Sequence, residues 1–185
     1  MNSAKSKFAK IFGRISFPLW QRAVLFSVAY FVCAESGNFL SVPDSNYVSF
    51  WLPAGLYVAV LLLNVRRVWP WLVLAAFPAN LAFDLLHGTK YPSIPLFYFA
   101  NTVQAVTGAW FVNRFVAERP TLATLREFLG LLGFAAVLST MLGAAIGAAT
   151  LTITGLSHSF MESCKVWCAW HWCLITLPTS WLFMR

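Results

Sequence analysis

The stretch SFWLPAGLYVAVLLLNVRRVWPWLVLAAFPANL, residues 49–81, decides the fold. It belongs to two apolar runs, 50–65 and 68–86, which are separated by the adjacent basic residues Arg66 and Arg67. At about 1.5 Å per helical residue, each run is about long enough to cross the hydrocarbon core of a bilayer. An arginine at the centre of a membrane helix costs roughly 2.5–3.5 kcal/mol. The pair is therefore expected at the tip of a membrane hairpin, facing the cytoplasm.

The composition of the whole chain agrees with a membrane protein. Hydrophobic residues make up 59% of the sequence and charged residues only 10%, against about 25% charged residues in ordinary globular domains. The 185 residues can hold about six spans with short loops, and they leave no room for a separate soluble domain of roughly 100 residues. We predict an all-α integral membrane bundle of about six transmembrane helices, forming a single domain over residues 1–185.

The distribution of basic residues predicts the topology. The chain carries 13 Lys and Arg residues and a net charge of +7, and all of these residues except Lys90 and Lys165 fall in segments that an even number of spans would place on one side. The positive-inside rule puts that side, with both termini, in the cytoplasm. The charge thus indicates a multi-pass membrane protein, with the lipid bilayer as its partner and no role for nucleic acid.

Six spans are predicted along the chain, at residues 19–40, 50–65, 68–86, 94–115, 128–154 and 163–183. Residues 1–16 are basic and form either a helix on the anionic inner leaflet or a frayed cytoplasmic tail. The first span is longer than the core of a signal peptide and more spans follow, so we expect it to be retained.

The fifth predicted span shows a pattern of helix packing. Ser139, Gly143 and Gly147 recur every four residues, and small faces let membrane helices approach closely. This stripe is a packing surface, either inside the bundle or between the subunits of a homodimer. Before the span, Thr124 lies three residues ahead of Glu127, the spacing of a capping box.

Polar residues within spans one, three and four share helix faces: Glu35 with Asn38, Asn80 with Asp84 and His87, and Asn101 with Gln104 and Gly108. Five of them lie near the predicted outer end, namely Glu35, Asn38, Asn80, Asp84 and Asn101. Such residues are costly in a membrane and indicate function. Pro53 and Gly55 lie at a similar depth in span two. A proline there leaves a backbone carbonyl without its helical hydrogen bond, and a glycine leaves space for another group to approach. An outward-opening pocket for a small ligand is one interpretation, and hydrogen bonding from span to span, worth under about 1–2 kcal/mol a pair, is the other.

Two groups of side chains have types suited to catalysis or metal binding, but neither group is complete. Glu35 and Asp84 are carboxylates suited to acid–base work, but no nucleophile, phosphate loop or metal cluster accompanies them, so we do not expect an enzyme. Cys164, Cys168 and His171 share a face of span six and offer ligands for zinc or copper. Their spacing matches no standard zinc motif, so we expect no metal and no cofactor.

Several motifs together carry a family resemblance over residues 50–165. They are Trp51-x-Pro53-Ala54-Gly55-Leu56, Arg67-x-Trp69-Pro70, Ala79-Asn80-Leu81, Asn101-x-x-Gln104-Ala105-x-x-Gly108, and Leu138-Ser139 followed by Leu142-Gly143-Ala144. In this order and spacing the chain resembles the membrane-associated sensor domain family, type one. The resemblance implies a multi-pass sensory module of the bacterial inner membrane, of the kind found in front of bacterial histidine kinases, diguanylate cyclases and cyclic-di-GMP phosphodiesterases.

The chain departs from the family pattern near its end. The family has a Trp-rich entry followed by Gly-Asp, a glycine and a proline, whereas this chain has Trp167, Trp170 and Trp172 with only Pro178 at a comparable place. Gln104 also stands where the family more often has Glu. The chain is interpreted as a truncated or frame-altered relative, or as a free-standing sensor that acts on a separate cytoplasmic partner.

The sequence predicts a sensory and signal-transduction domain. It would perceive an unknown small ligand or envelope signal and regulate a kinase of a two-component system or a cyclic-di-GMP output domain that this chain lacks. The alternative is a small multi-span transporter or permease subunit, in which Glu35 and Asp84 would couple transport to ions. A non-functional fragment is the third interpretation.

Overall fold

The computed structural model describes residues 17–40, 51–117, 120 and 124–165. These residues form helices and turns without any strand, so the predicted all-α fold is confirmed. The five main helices are α1 (Leu19–Phe39), α2 (Pro53–Leu63), α3 (Trp69–Leu86), α4 (Ile94–Phe115) and α5 (Leu125–Ile153). The predicted N-terminal segment and all but the first three residues of the predicted sixth span lie outside the described residues.

Local sequence signals set the helix ends. Pro53 is the first residue of α2, where its missing N–H is one that a helix leaves unpaired anyway. Asn64 follows the end of α2, and its Nδ2 donates to Val60 O at 2.8 Å. At the start of α5 the Thr124 hydroxyl accepts from Glu127 N at 3.2 Å, which confirms the predicted cap.

Helix α5 changes its winding along its length. It begins as an α-helix over Leu125–Gly130, continues as a π-helix over Leu131–Leu138, and ends as an α-helix over Ser139–Ile153. A π-helix closes its hydrogen bonds one residue later than an α-helix and is rare beyond a single turn. The π segment buries Leu131, Ala135 and Ala136, so it contributes to the core.

The directions of the first three helices follow from contacts at their ends. Arg22 Nη1 donates to Asn64 Oδ1 at 3.0 Å, joining the start of α1 to the end of α2. Asn38 Nδ2 lies 2.9 Å from His87 Nε2, joining the end of α1 to the end of α3. Helices α1 and α3 therefore run in the same direction and α2 runs against them. We call the two ends of the bundle the Arg66 end and the His87 end.

Packing between the helices is not sequential. Helix α1 packs chiefly against α3, while α4 packs against both α2 and α5. An aromatic cluster fills the space between α1, the start of α2 and α3. The Tyr30 ring lies 5.9 Å from that of Tyr57 and 6.3 Å from that of Trp51, and the Trp51 ring lies 5.3 Å from that of Phe83. These buried rings join the helices that carry the polar residues of interest.

Two of the described helices are long and apolar enough to cross a membrane, Arg66–Leu86 and Leu125–Ile153. The first of them extends α3 by the 3-10 turn Arg66–Val68. Fewer helices meet this test than the sequence predicts, and the physical reasons differ. Helix α2 has only 11 residues, about 16 Å of helix. Helices α1 and α4 are long but carry many polar side chains among their apolar ones.

Candidate functional site

A hydrogen-bonded network connects three helices in the half of the bundle nearer the His87 end. The Tyr30 hydroxyl of α1 donates to Asn80 Oδ1 of α3 at 3.0 Å. Asn101 Nδ2 of α4 approaches the same oxygen at 3.3 Å, and Asn80 Nδ2 donates to Asp84 Oδ2 at 2.6 Å. We call the set of five residues Tyr30, Asn80, Asp84, Thr89 and Asn101 the Asn80 network. Asn80 is its centre, because its amide contacts α1, α4 and the next turn of α3.

Asp84 is the acidic member of the Asn80 network and is only 7% exposed. Its Oδ2 accepts from Asn80, and its Oδ1 accepts from Thr89 Oγ1 at 3.1 Å. Gly88, with φ of 70°, turns the chain so that Thr89 N also bonds Asp84 O at 2.9 Å. A left-handed φ favours glycine. Among the described residues no Lys or Arg lies within 4.0 Å of this carboxylate, so neutral donors alone satisfy it.

A second polar cluster lies at the His87 end and contains His87, Asn38 and Glu35. His87 Nδ1 lies 2.9 Å from Phe83 O, and Nε2 lies 2.9 Å from Asn38 Nδ2. This arrangement suits a neutral ring with the proton on Nδ1, since Nε2 then accepts from the amide. Glu35 Oε2 is 3.7 Å from the same Nε2. Glu35 and Asp84, a pair in the sequence argument, thus belong to different clusters.

Gln104 does not join the Asn80 network, although it lies one turn from Asn101. Its Nε2 donates to Thr140 Oγ1 of α5 at 3.2 Å. A Cβ built on Gly143 would lie 2.6 Å from Gln104 Oε1, so the amide fills the space that this glycine leaves. The small stripe of Ser139, Gly143 and Gly147 is buried within the chain, with Ser139 and Gly143 packed on α4.

Pro53 and Gly55 are buried in the first turn of α2. Because Pro53 is the first helical residue, it frees no carbonyl inside a span, contrary to the sequence argument. Pro78, inside α3, is the described proline with that effect, since its ring excludes a bond to the carbonyl four residues earlier. The adjacent carbonyl of Val73 accepts a hydrogen bond from the Tyr98 hydroxyl at 2.5 Å. This bond gives α4 a polar contact with α3.

Several buried polar atoms on these helices have no hydrogen-bond partner, although most buried polar groups in proteins are paired. They include Asn101 Oδ1 in the Asn80 network, Trp51 Nε1 in the aromatic cluster, Glu35 Oε1 beside His87, and Gln104 Oε1 and Asn113 Oδ1 on α4. Gln104 Oε1 faces Gly143, away from the network. Asn101 Oδ1 belongs to the Asn80 network and Trp51 Nε1 to a ring that contacts Tyr30, and this unused hydrogen-bonding capacity makes the network the best candidate for a binding site.

Two members of the site, Tyr30 and Thr89, are not predicted from the sequence. Tyr30 is fully buried, but in an apolar helix a tyrosine stands out less than an acid or an amide does. The available signal was its helix face, since Phe26, Tyr30, Ala34 and Gly37 recur at helical spacing and are all buried. Thr89 lies in a loop, where no helical spacing links it to the other polar residues.

The remaining predicted residues lie away from the network. Arg66 and Arg67 form the exposed turn between α2 and α3. Cys164 is half-buried, with its sulfur 3.8 Å from Ala144 O, whereas Cys168 and His171 fall outside the described residues. In the part of the chain that the structure describes, no three His, Cys, Asp or Glu side chains are grouped to hold a metal ion.

Comparison with known families identifies the chain. The family model MASE1 matches residues 21–176, most of the chain and all of the Asn80 network. No curated protein and no solved structure matches it. The resemblance predicted from the motifs is confirmed, and the family locates the protein in a membrane. The chain belongs to the MASE1 family of membrane-associated sensory domains.

Proposed function

We propose that this sensory domain is a six-span module of the bacterial inner membrane that binds a small ligand from outside the cell at the Asn80 network. Both termini would be cytoplasmic, with Arg66 and Arg67 at the cytoplasmic surface. The His87 end is then the outer end. Asn80 and Asn101 lie six and seven residues from the helix ends at that side, at a depth of about 10 Å.

One observation supports this site above the others. Asn80 holds α1, α3 and α4 together through its single amide, while Asn101 beside it keeps a buried oxygen unpaired. A ligand that bonds this oxygen alters the contact on which the arrangement of three helices depends. The ligand shifts the equilibrium between two packing arrangements of these helices, to the extent that it binds one of them more tightly than the other.

Helix α4 would carry the change to the cytoplasmic side. It bears Asn101 near the outer end and packs along α5 through two close contacts. Adding a Cβ at Gly108 would place it 2.8 Å from Ser139 Oγ, and one at Gly143 would meet Gln104. Such close packing transmits a displacement of α4 to α5, because a packed helix interface switches between discrete arrangements and does not deform continuously. The output would be a cytoplasmic kinase or a cyclic-di-GMP enzyme.

Chromosomal variants in the native host test the proposal. Asp84→Ala and Asn101→Ala are compared with the wild type and with a deletion of the gene, and the readouts are the transcriptome, cellular cyclic-di-GMP and the amount of the protein in the membrane fraction. We expect both variants to reproduce the deletion phenotype while accumulating normally, because they remove ligand contacts but no apolar span.

Asn113→Ala is the matched control. It makes the same change in the same helix, about three turns further along α4. This variant should respond as the wild type does. Wild-type responses in both Asp84→Ala and Asn101→Ala would overturn the Asn80 network as the sensory site.

A further inference from the structure

We infer that the Asn80 network selects a small amine carrying a hydroxyl or carbonyl oxygen, an amino alcohol in the simplest case. Its ammonium group would pair with Asp84 and donate to Asn101 Oδ1, and its oxygen would accept from Trp51 Nε1. The inference rests on the proposed function, since it names the ligand class of the same site. Three properties of the site carry it: its charge, its hydrogen-bonding capacity and its aromatic walls.

The charge of the site favours a cation. Asp84 is the single ionisable acid in the Asn80 network, it is 7% exposed, and its hydrogen-bond donors are the neutral side chains of Asn80 and Thr89. A buried carboxylate is costly unless it is paired and hydrogen-bonded. No described Lys or Arg lies within 4.0 Å of it, and His87, one turn further along, has the hydrogen bonds of a neutral ring. An anionic ligand would add to a negative charge that no described cation pairs, while an ammonium group would neutralise it.

The hydrogen-bonding capacity of the site favours a ligand rich in N–H groups. A carboxylate offers about four acceptor positions, and the protein uses two of those on Asp84. Asn101 Oδ1 offers two more and uses neither. Asn80 Oδ1, by contrast, already accepts from Tyr30 and Asn101. The open positions are acceptors, and an ammonium group brings three donors to them.

The aromatic walls support the same class and add one requirement. Tyr30, which donates into the network, contacts Trp51, and Trp51 packs in turn on Phe83. Aromatic faces attract ammonium ions, tryptophan most strongly. The Trp51 indole N–H is buried without an acceptor, and a cation cannot supply one. An oxygen on the same ligand can, which is why a simple alkylamine fits less well than an amino alcohol.

The test uses the full wild-type chain in nanodiscs of phosphatidylglycerol, with ethanolamine as the probe and calorimetric titration as the measurement. Ethylene glycol is the uncharged analogue, n-propylamine lacks the oxygen, and acetate is the anion. We expect saturable binding of ethanolamine, weaker binding of n-propylamine, and at least tenfold weaker binding of ethylene glycol and acetate. Equal binding of ethanolamine and ethylene glycol, or no binding of ethanolamine, would overturn the inference.

Two variants localise the binding. Asp84→Asn removes the charge, and we expect it to weaken ethanolamine binding at least tenfold and to abolish the preference for ethanolamine over ethylene glycol. Glu162→Gln removes an exposed carboxylate elsewhere in the chain and should bind as the wild type does. Unchanged binding in Asp84→Asn would contradict the assignment, and a thermal unfolding curve shows that the variant is folded.

A second nanodisc distinguishes a free amine from a lipid headgroup of the same chemistry. With phosphatidylethanolamine included, a site that takes the headgroup would bind free ethanolamine more weakly, whereas a site for the free amine would bind it equally. Either result supports the ammonium chemistry. The proposed sensory function has its own test in cells, so a host response that requires Asp84 and Asn101, combined with no selectivity for amines, would leave that function standing and remove the ligand class alone.

Discussion

The side-chain amide of Gln104 and the backbone of Gly143 share one narrow space between α4 and α5. A Cβ built on Gly143 would lie 2.6 Å from Gln104 Oε1 and 2.8 Å from Gln104 Cβ. Cβ atoms essentially never approach other heavy atoms this closely, so a side chain at position 143 would fit only if Gln104 moved. The amide is also held from its other side, because its Nε2 donates to Thr140.

Gly143→Ala is expected to destabilise the protein by about 1–3 kcal/mol, the usual cost of overpacking a close contact. Gly133→Ala is the matched control in the same helix, since a Cβ there would meet nothing within 4 Å. It should be neutral or stabilising by up to about 1 kcal/mol, because alanine favours helices over glycine. Unfolding by titration with sodium dodecyl sulfate measures both, and equal stabilities would contradict close packing at Gly143.

Tyr30→Phe is expected to cost about 0.5–1.5 kcal/mol, since it removes one hydrogen bond to Asn80 and keeps the ring. Asn80 Oδ1 would retain only the longer contact with Asn101. Tyr91→Phe makes the same change at a side chain that is 78% exposed and should be neutral. The two melting curves in detergent give the comparison. A Tyr30→Phe variant as stable as Tyr91→Phe would show that the hydroxyl is not bonded.

Asn38 and His87 are expected to be energetically coupled, because their side chains join the ends of α1 and α3. In a double-mutant cycle, Asn38→Ala and His87→Ala should show an interaction free energy of about 0.6 kcal/mol, the average for polar pairs in membrane helices. The unfolding free energies of the wild type, both single variants and the double variant supply the cycle. Strict additivity would mean that the contact contributes nothing.

The proposed orientation predicts opposite accessibility for Arg67 and Lys90. In a variant whose four native cysteines are replaced by serine, Lys90→Cys should react with a membrane-impermeant maleimide in intact cells. Arg67→Cys should react only after the membrane is permeabilised. Labelling of Arg67→Cys in intact cells would invert the topology and place the Asn80 network near the cytoplasm.

The positions of the helices were largely predictable from the sequence. Prolines and apolar runs placed helices close to residues 50–65, 68–86 and 94–115, and the structure has them at Pro53–Leu63, Trp69–Leu86 and Ile94–Phe115. The alternation of apolar runs and breakers is a local property, so it can be recognised without knowing the tertiary structure. The crossing of the membrane by six helices remains a prediction.

The composition of the site was only partly predictable. Helical spacing shows that Asn101 and Gln104 share a face, but it does not show which neighbour each contacts. Because α4 packs between α2 and α5 and also touches α3, Asn101 bonds Asn80 whereas Gln104 bonds Thr140. The same limit applies to Glu35 and Asp84, whose separation into two clusters depends on tertiary packing.

The π segment Leu131–Leu138 determines the rotational phase of α5. Each π turn accommodates one residue more than an α turn, so the residues beyond it point in directions that an uninterrupted α-helix would not give them. Ser139 and Gly143 face α4 with this offset in place. If the extra residue migrated along α5, the half of the helix on one side of it would rotate about its own axis while the other half kept its neighbours, a screw-like change of register that requires no helix to tilt.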